Sequence, residues 1–130
     1  MPVQVSVPQE LEQLLNSKGQ PVPAPITGYA LIDTGATMSM VDDHAVEALG
    51  VGPVGTATLQ TAGGPLQSAL YPVRVVIGVP PKQVVLDLTF GRITSGPLQK
   101  SGLLCLLGRD LLQHVLLVYD GANGRFTVAF

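Results

Sequence analysis

Apolar and polar residues alternate with period two over much of this chain, and that pattern predicts a succession of strands. Val3-Gln4-Val5-Ser6-Val7 is the first. Glu10 to Ser17 breaks the pattern: Leu11, Leu14 and Leu15 fall at helical spacing between Pro8 and Gly19, which predicts one short helix. Pro21, Pro23 and Pro25 alternate in what reads as an extended connector without ladder donors. A strand then starts at Ile26 and runs to Asp33, and Thr37 to Val41 is extended again. Asp42 and Asp43 suit the cap of a short helix from His44 to Leu49, which Gly50 ends. Val54 to Thr61 and Leu66 to Leu70 alternate on either side of Ala62-Gly63-Gly64-Pro65, a hairpin signal. Val73 to Val79 and Val84 to Phe90 are two further predicted strands around Pro80-Pro81, with Asp87 the polar residue of the second. Gly91 to Gly102 is rich in Gly, Ser and Pro and reads as a long loop. Leu103 to Leu107 is a fully apolar strand, Gly108-Arg109-Asp110 opens a short helix through His114, and Val115 to Tyr119 with Arg125 to Ala129 forms a closing hairpin. Strands outnumber helices, so the expected class is all-β, a closed or nearly closed barrel-like sheet.

One stretch departs from plain patterning. In Leu31-Ile32-Asp33-Thr34-Gly35-Ala36 an aliphatic strand stops on an acid, and a glycine bends the chain. Tyr29 to Ile32 would shield that carboxylate from water, a setting suited to a general acid or base, and Gly35 would give the loop backbone freedom. An echo follows later in the chain: Leu106-Leu107-Gly108 is again an apolar pair running into a glycine bend and a short helix. Composition narrows the setting. The 130 residues fit one domain, 46% hydrophobic but only 12% charged, against a usual charged share of about 25%. So little charge implies apolar surface covered by a partner. A net charge of −2 without a basic stripe gives no reason to expect nucleic acid or a membrane surface, and no apolar run has the length of a span. The start, Met1-Pro2-Val3-Gln4, carries no signal-peptide pattern, and the single Cys105 excludes an internal disulfide, so a cytoplasmic setting is expected.

Four segments, in order, resemble the retropepsin branch of the aspartic proteases. They are Asp33-Thr34-Gly35-Ala36; the Ala62-Gly63-Gly64 hairpin, similar to the flap that closes over substrate; Leu106-Leu107-Gly108-Arg109-Asp110-Leu111-Leu112, similar to the apolar-apolar-Gly-Arg helix segment; and Val118-Tyr119-Asp120 through Phe126-Thr127-Val128-Ala129, similar to the closing hairpin of a pepsin lobe. The resemblance implies a retropepsin-like closed β-barrel, the acid protease fold, as a single lobe with one or two short helices. It spans 1–130, with 1–25 as N-terminal strand, helix and Pro-rich connector and 26–130 as catalytic core. It implies Asp33 as the catalytic residue; Thr34, Gly35 and Ala36 as the active-site loop; Ala62, Gly63 and Gly64 as the substrate-binding flap; and Leu107, Gly108 and Arg109 as structural support behind the loop. Thr34 would donate across a dyad to the other chain's loop. Two departures stand out. Thr37 occupies the place of an acid that usually pairs with the helix arginine, which leaves the partner of Arg109 open, and Pro65 follows the flap glycines where an aromatic is common.

The implied activity is an aspartic endopeptidase acting on a peptide or protein substrate, with no cofactor and no metal. Carboxylate hydrolysis needs two acids sharing a proton, and only one Asp-Thr-Gly is present, so the partner is a second copy in a homodimer. In retropepsins the termini of two chains interleave, which implies interchain pairing of Val3 to Val7 and Phe126 to Phe130; the alternative is a closing hairpin formed within one chain. The competing function is a non-catalytic or weakly catalytic dimerisation or peptide-binding module on the same fold. Other chemistry lacks support. His44 and His114 stand alone without ligand spacing, Cys105 sits in the most apolar strand as a core residue, and a triad drawn from Ser39 and His114 has no nucleophile elbow.

Overall fold

β1 (Pro2–Ser6) closes the main sheet upon itself. One edge pairs antiparallel with β2 (Ile26–Ile32), Val3 opposite Gly28, and the other pairs with the end of β5 (Gly64–Ile77), Val5 opposite Val75. From β2 the ring continues through β7 (Cys105–Leu107), β3 (Met40–Asp42) and β6 (Leu86–Gly96) back to β5. The computed structural model describes residues 1–78 and 86–130. The expected Pro80-Pro81 break, the end of one expected strand at Val79 and the start of the next at Val84 lie outside the described residues. The fold is all-β, a ring of strands near a barrel, as the alternation predicts. Val3, Val5, Val41, Val73, Val75, Ile93, Cys105 and Leu107 turn inward and are almost wholly buried.

Helices are short and peripheral. α1 (Gln9–Ser17) buries no residue completely; only Leu11 packs partly on the core. α2 (Asp43–Leu49) begins where the Asp42 carboxylate accepts from the His44 N–H at 3.1 Å, and it ends at Gly50 in the left-handed region (φ 64°). Ala45, Val46 and Leu49 are its buried face. α3 (Arg109–Leu112) follows β7 directly.

Several strand boundaries differ from the patterning: the strand expected from Leu103 starts at Cys105, that expected from Thr37 starts at Met40, and two larger differences change the sheet. Leu66 to Leu70 and Val73 to Ile77 belong to one strand, β5, whose register against β6 shifts between Tyr71 and Val73. Pro72, which has no N–H to donate, sits at that irregularity. Gly91 to Gly96, expected as loop, is strand: Gly91 and Arg92 are the residues opposite the shift, and Ile93 and Thr94 are buried. Loop-like composition there marks a bulge rather than an end. Because both edges of β1 are occupied within its own chain, the expected interchain pairing of Val3 to Val7 does not stand. The closing hairpin forms instead: β8 (Leu116–Asp120) pairs antiparallel with β9 (Arg125–Ala129) in a separate two-stranded sheet.

Candidate active site

Asp33 follows the last residue of β2. That strand lies parallel to β7 in register, Leu31 opposite Leu106 and Ile32 opposite Leu107, so the two halves of the sequence echo are direct neighbours. The ladder carries one residue further, where the Asp33 N–H donates to the Leu107 carbonyl at 3.0 Å. Past it the chain turns: Ala36 N–H donates to the Asp33 carbonyl at 3.2 Å, and Gly35 N–H donates to Asp33 Oδ1 at 2.9 Å. This amide fixes the direction of the carboxylate. A Cβ on Gly35 would lie 3.1 Å from Asp33 Oδ1. Close approach to the carboxylate, and not a left-handed backbone, therefore accounts for glycine here.

The loop is tied from behind by the segment that starts α3. The first free helical donors, Arg109 N–H and Asp110 N–H, go to the carbonyls of Ala36 (2.9 Å) and Thr37 (3.3 Å). The Arg109 guanidinium donates from Nη1 to the carbonyls of Thr34 (3.0 Å) and Gly35 (3.2 Å) and from Nη2 to Thr37 Oγ1 (2.9 Å). Arg109 thus binds two backbone carbonyls and a hydroxyl where a retropepsin acid would stand. Ser39, fully buried, is the second tie. Its hydroxyl donates to Asp110 Oδ1 at 2.6 Å and accepts from Gly108 N–H at 2.9 Å, while its own N–H reaches the same carboxylate at 2.9 Å. Ser39 is occupied as a structural brace, and its bonds include no histidine. Gly108 can carry no side chain, since a Cβ would come within 2.7 Å of the Met38 backbone.

Opposite the loop stands the hairpin of β4 (Gly55–Thr61) and β5, paired from Gly55–Leu70 to Thr61–Gly64. Ala62 and Gly63 make its two-residue turn, and Gly64 has φ 106°, a backbone that favours glycine. A cleft of about 370 Å³ separates the loop from this hairpin. It is lined by Gly35, Ala36, Thr37 and Met38 on one side and by Thr58 to Thr61 on the other. Ala62, Gly63 and Gly64 lie at the tip, beyond this lining. The β4 residues Thr58, Leu59, Gln60 and Thr61 contribute instead, and only their position beside the turn could have drawn attention to them.

The aliphatic approach to Asp33 behaves differently from expectation. Alternation along β2 buries Ala30 but turns Tyr29 (64% exposed) and Leu31 (49% exposed) outward, and Asp33 itself is only half-buried. Shielding of the carboxylate is incomplete in a single chain.

The family model for aspartyl proteases matches residues 18–111. The chain belongs to this family. The matched stretch takes in β2, the Asp33 loop, the β4–β5 hairpin and the Leu107–Arg109 brace, and the barrel agrees with the all-β acid protease fold of retropepsin-like type. Family membership supports a peptidase function with a peptide substrate. No curated protein is similar enough to count as a relative. Within this aspartyl protease Cys105 is wholly buried in β7, and burial pushes its thiol up to about 12. It has the character of a core residue, not of a nucleophile.

Proposed function

We propose that the chain is an aspartic endopeptidase whose working unit is a homodimer, with Asp33 from each of two copies forming the catalytic dyad. The carrying observation is Asp33 itself: a half-buried carboxylate at the end of a core strand, aimed by the Gly35 amide at 2.9 Å, on a loop whose next residues, Gly35 to Met38, line a cleft walled by a hairpin. Two such carboxylates brought together across a two-fold axis cannot both ionise, so they share one proton. The ionised member takes a proton from a water as that water attacks the peptide carbonyl. The protonated member donates to the carbonyl oxygen and stabilises the charge that grows there. Collapse of the tetrahedral intermediate passes a proton to the departing amine and breaks the C–N bond. Thr34, exposed beside Asp33, would donate to the mate's loop, and Gly35 and Ala36 would line the floor beneath the β4–β5 flap. Leu107, Gly108 and Arg109 serve as positioning residues through the loop contacts described above. A cytoplasmic setting belongs to the same reading, supported by one reduced, buried thiol.

Cleavage of a mixed peptide library between about pH 4 and 7 by wild type and Asp33→Asn tests the proposal. Wild type cuts and is inhibited by a statine-type hydroxyl analogue. The Asn variant keeps the fold and loses turnover by at least about 10³-fold, the scale for removing a member of a catalytic unit. Comparable cutting by Asp33→Asn removes it from the mechanism. Peptide binding without turnover by wild type favours the binding module.

A further inference from the structure

Sulfur is unevenly placed in this molecule. The chain has three methionines and one cysteine, and apart from Met1 both methionines, Met38 and Met40, line the cleft between the Asp33 loop and the β4–β5 hairpin. They stand two residues apart where the loop segment enters β3, with buried Ser39 between them bonded to Asp110. Both are half-buried, within reach of a small solute that enters the cleft. Cys105, by contrast, has no exposed surface. Met40 Sδ rests on Gly96, where a Cβ would come within 2.6 Å of the sulfur, so an oxygen added to that sulfur has to point away from Gly96. Among the described residues that line the cleft none is charged. A thioether there is a soft, flexible, apolar lining that adapts to varied peptide side chains. Its sulfoxide is polar and chiral, and a peptide that covers it strips the new oxygen of water.

We propose that Met38 and Met40 are a reversible oxidation site through which a peroxide turns substrate binding down. The inference rests on the endopeptidase reading, since it takes the cleft as the place where the peptide lies. In the forward step the sulfur lone pair attacks one oxygen of hydrogen peroxide. An S–O bond forms, the O–O bond breaks, and the departing hydroxide takes the proton of the transferred hydroxyl and leaves as water. Sulfur loses two electrons and peroxide gains them. The return step draws two electrons from a dithiol, which becomes a disulfide as the oxygen leaves in water. Asp33 takes no part in either step, so oxidation weakens peptide binding more than it slows turnover of bound peptide.

Wild type and a Met38→Leu, Met40→Leu double variant, each compared with itself before and after hydrogen peroxide, test this. Peptide mapping by mass spectrometry locates the added oxygen, and peptide cleavage and calorimetric binding of a statine-type analogue read its effect. Met1 and Cys105 are common to both proteins, so their oxidation cancels in the comparison. In wild type, sulfoxide at Met38 or Met40 raises KM and weakens analogue binding by at least about tenfold. A methionine sulfoxide reductase with dithiothreitol restores both, and dithiothreitol alone does not. The double variant keeps its own KM through the same treatment; if it fails to fold, recovery by the reductase in wild type carries the test. Equal losses in both proteins, or sulfoxide at these positions without loss, overturn the proposal and leave the protease reading intact. So does a native wild type in which neither methionine is oxidised. A wild type that cleaves nothing but binds the analogue less tightly once oxidised supports the oxidation site, and the protease reading alone fails. One that neither cleaves nor binds overturns both.

Discussion

Replacing Ser39 by alanine removes a single oxygen, but that oxygen serves two partners, the buried Gly108 and the partly buried Asp110, 69 and 71 residues away in sequence. It donates to the Asp110 carboxylate at 2.6 Å and accepts the Gly108 N–H at 2.9 Å, in a residue with no exposed surface. A hydrogen bond to a charged acceptor contributes about 1.5–3 kcal/mol, and a buried N–H left without a partner costs about 1–3 kcal/mol. Asp110 keeps the N–H groups of Ser39 and Leu111, at 2.9 Å each, so the lower half of both ranges applies. Ser39→Ala should therefore lose about 2.5–4 kcal/mol, a large part of the ~5–15 kcal/mol that holds a domain folded. Urea unfolding followed by circular dichroism, at matched chain concentration, reads this as a lower midpoint with unchanged slope. Ser39→Thr keeps the oxygen and should recover most of the loss. A Ser39→Ala protein within about 0.5 kcal/mol of wild type would refute the reasoning, since that is the range of surface substitutions away from specific contacts.

Cys105 should resist iodoacetamide at pH 8 in the native protein and react promptly once the chain is unfolded in urea, because burial holds the thiol near 12; rapid labelling of the native state would mean that β7 opens locally. Asp87 is held below its usual value of 3.8 by hydrogen bonding from Arg74, whose Nε donates at 2.8 Å. A depressed acid contributes stability above the unfolded pKa and loses it as pH falls through the folded one. Asp87→Asn should thus reduce stability near pH 6 by at most about 1 kcal/mol, given the partial exposure of the pair, and the difference should vanish well below pH 4; an unchanged gap at pH 2–3 would exclude the ion pair as its source.

Local chemistry was legible from the residues; of the long-range pairing, little beyond the echo of Leu31-Ile32 in Leu106-Leu107 was. The α2 cap at Asp42 and its stop at Gly50 depend on neighbours within a few positions, and both follow expectation. So does the turn at Ala62-Gly63, flanked by alternating strands. Gly91 to Gly96 is strand where composition predicts loop, because glycine and serine mark bulges as well as loops, and only β5 on the other side tells the two apart. The Ser39–Asp110 brace carries no local signature, since a buried serine and a helix-start aspartate are each unremarkable until the barrel brings them together. Thr37 illustrates the same limit: an acid was missing in sequence, but Arg109 found carbonyl partners that no residue type advertises.

The order of synthesis acquires meaning from the parallel pairing of β2 with β7. Ala30 meets Cys105, and the Asp33 amide waits for the carbonyl of Leu107, so the loop bearing the candidate carboxylate acquires its backing only after most of the chain has left the ribosome. Closing a span of that length is entropically slow and comes late in folding. A nascent chain therefore carries Asp33 on an unbraced loop. In an enzyme that hydrolyses peptide bonds, such a topology withholds an organised site until Arg109 and Asp110 have been made, a temporal safeguard written into strand order alone.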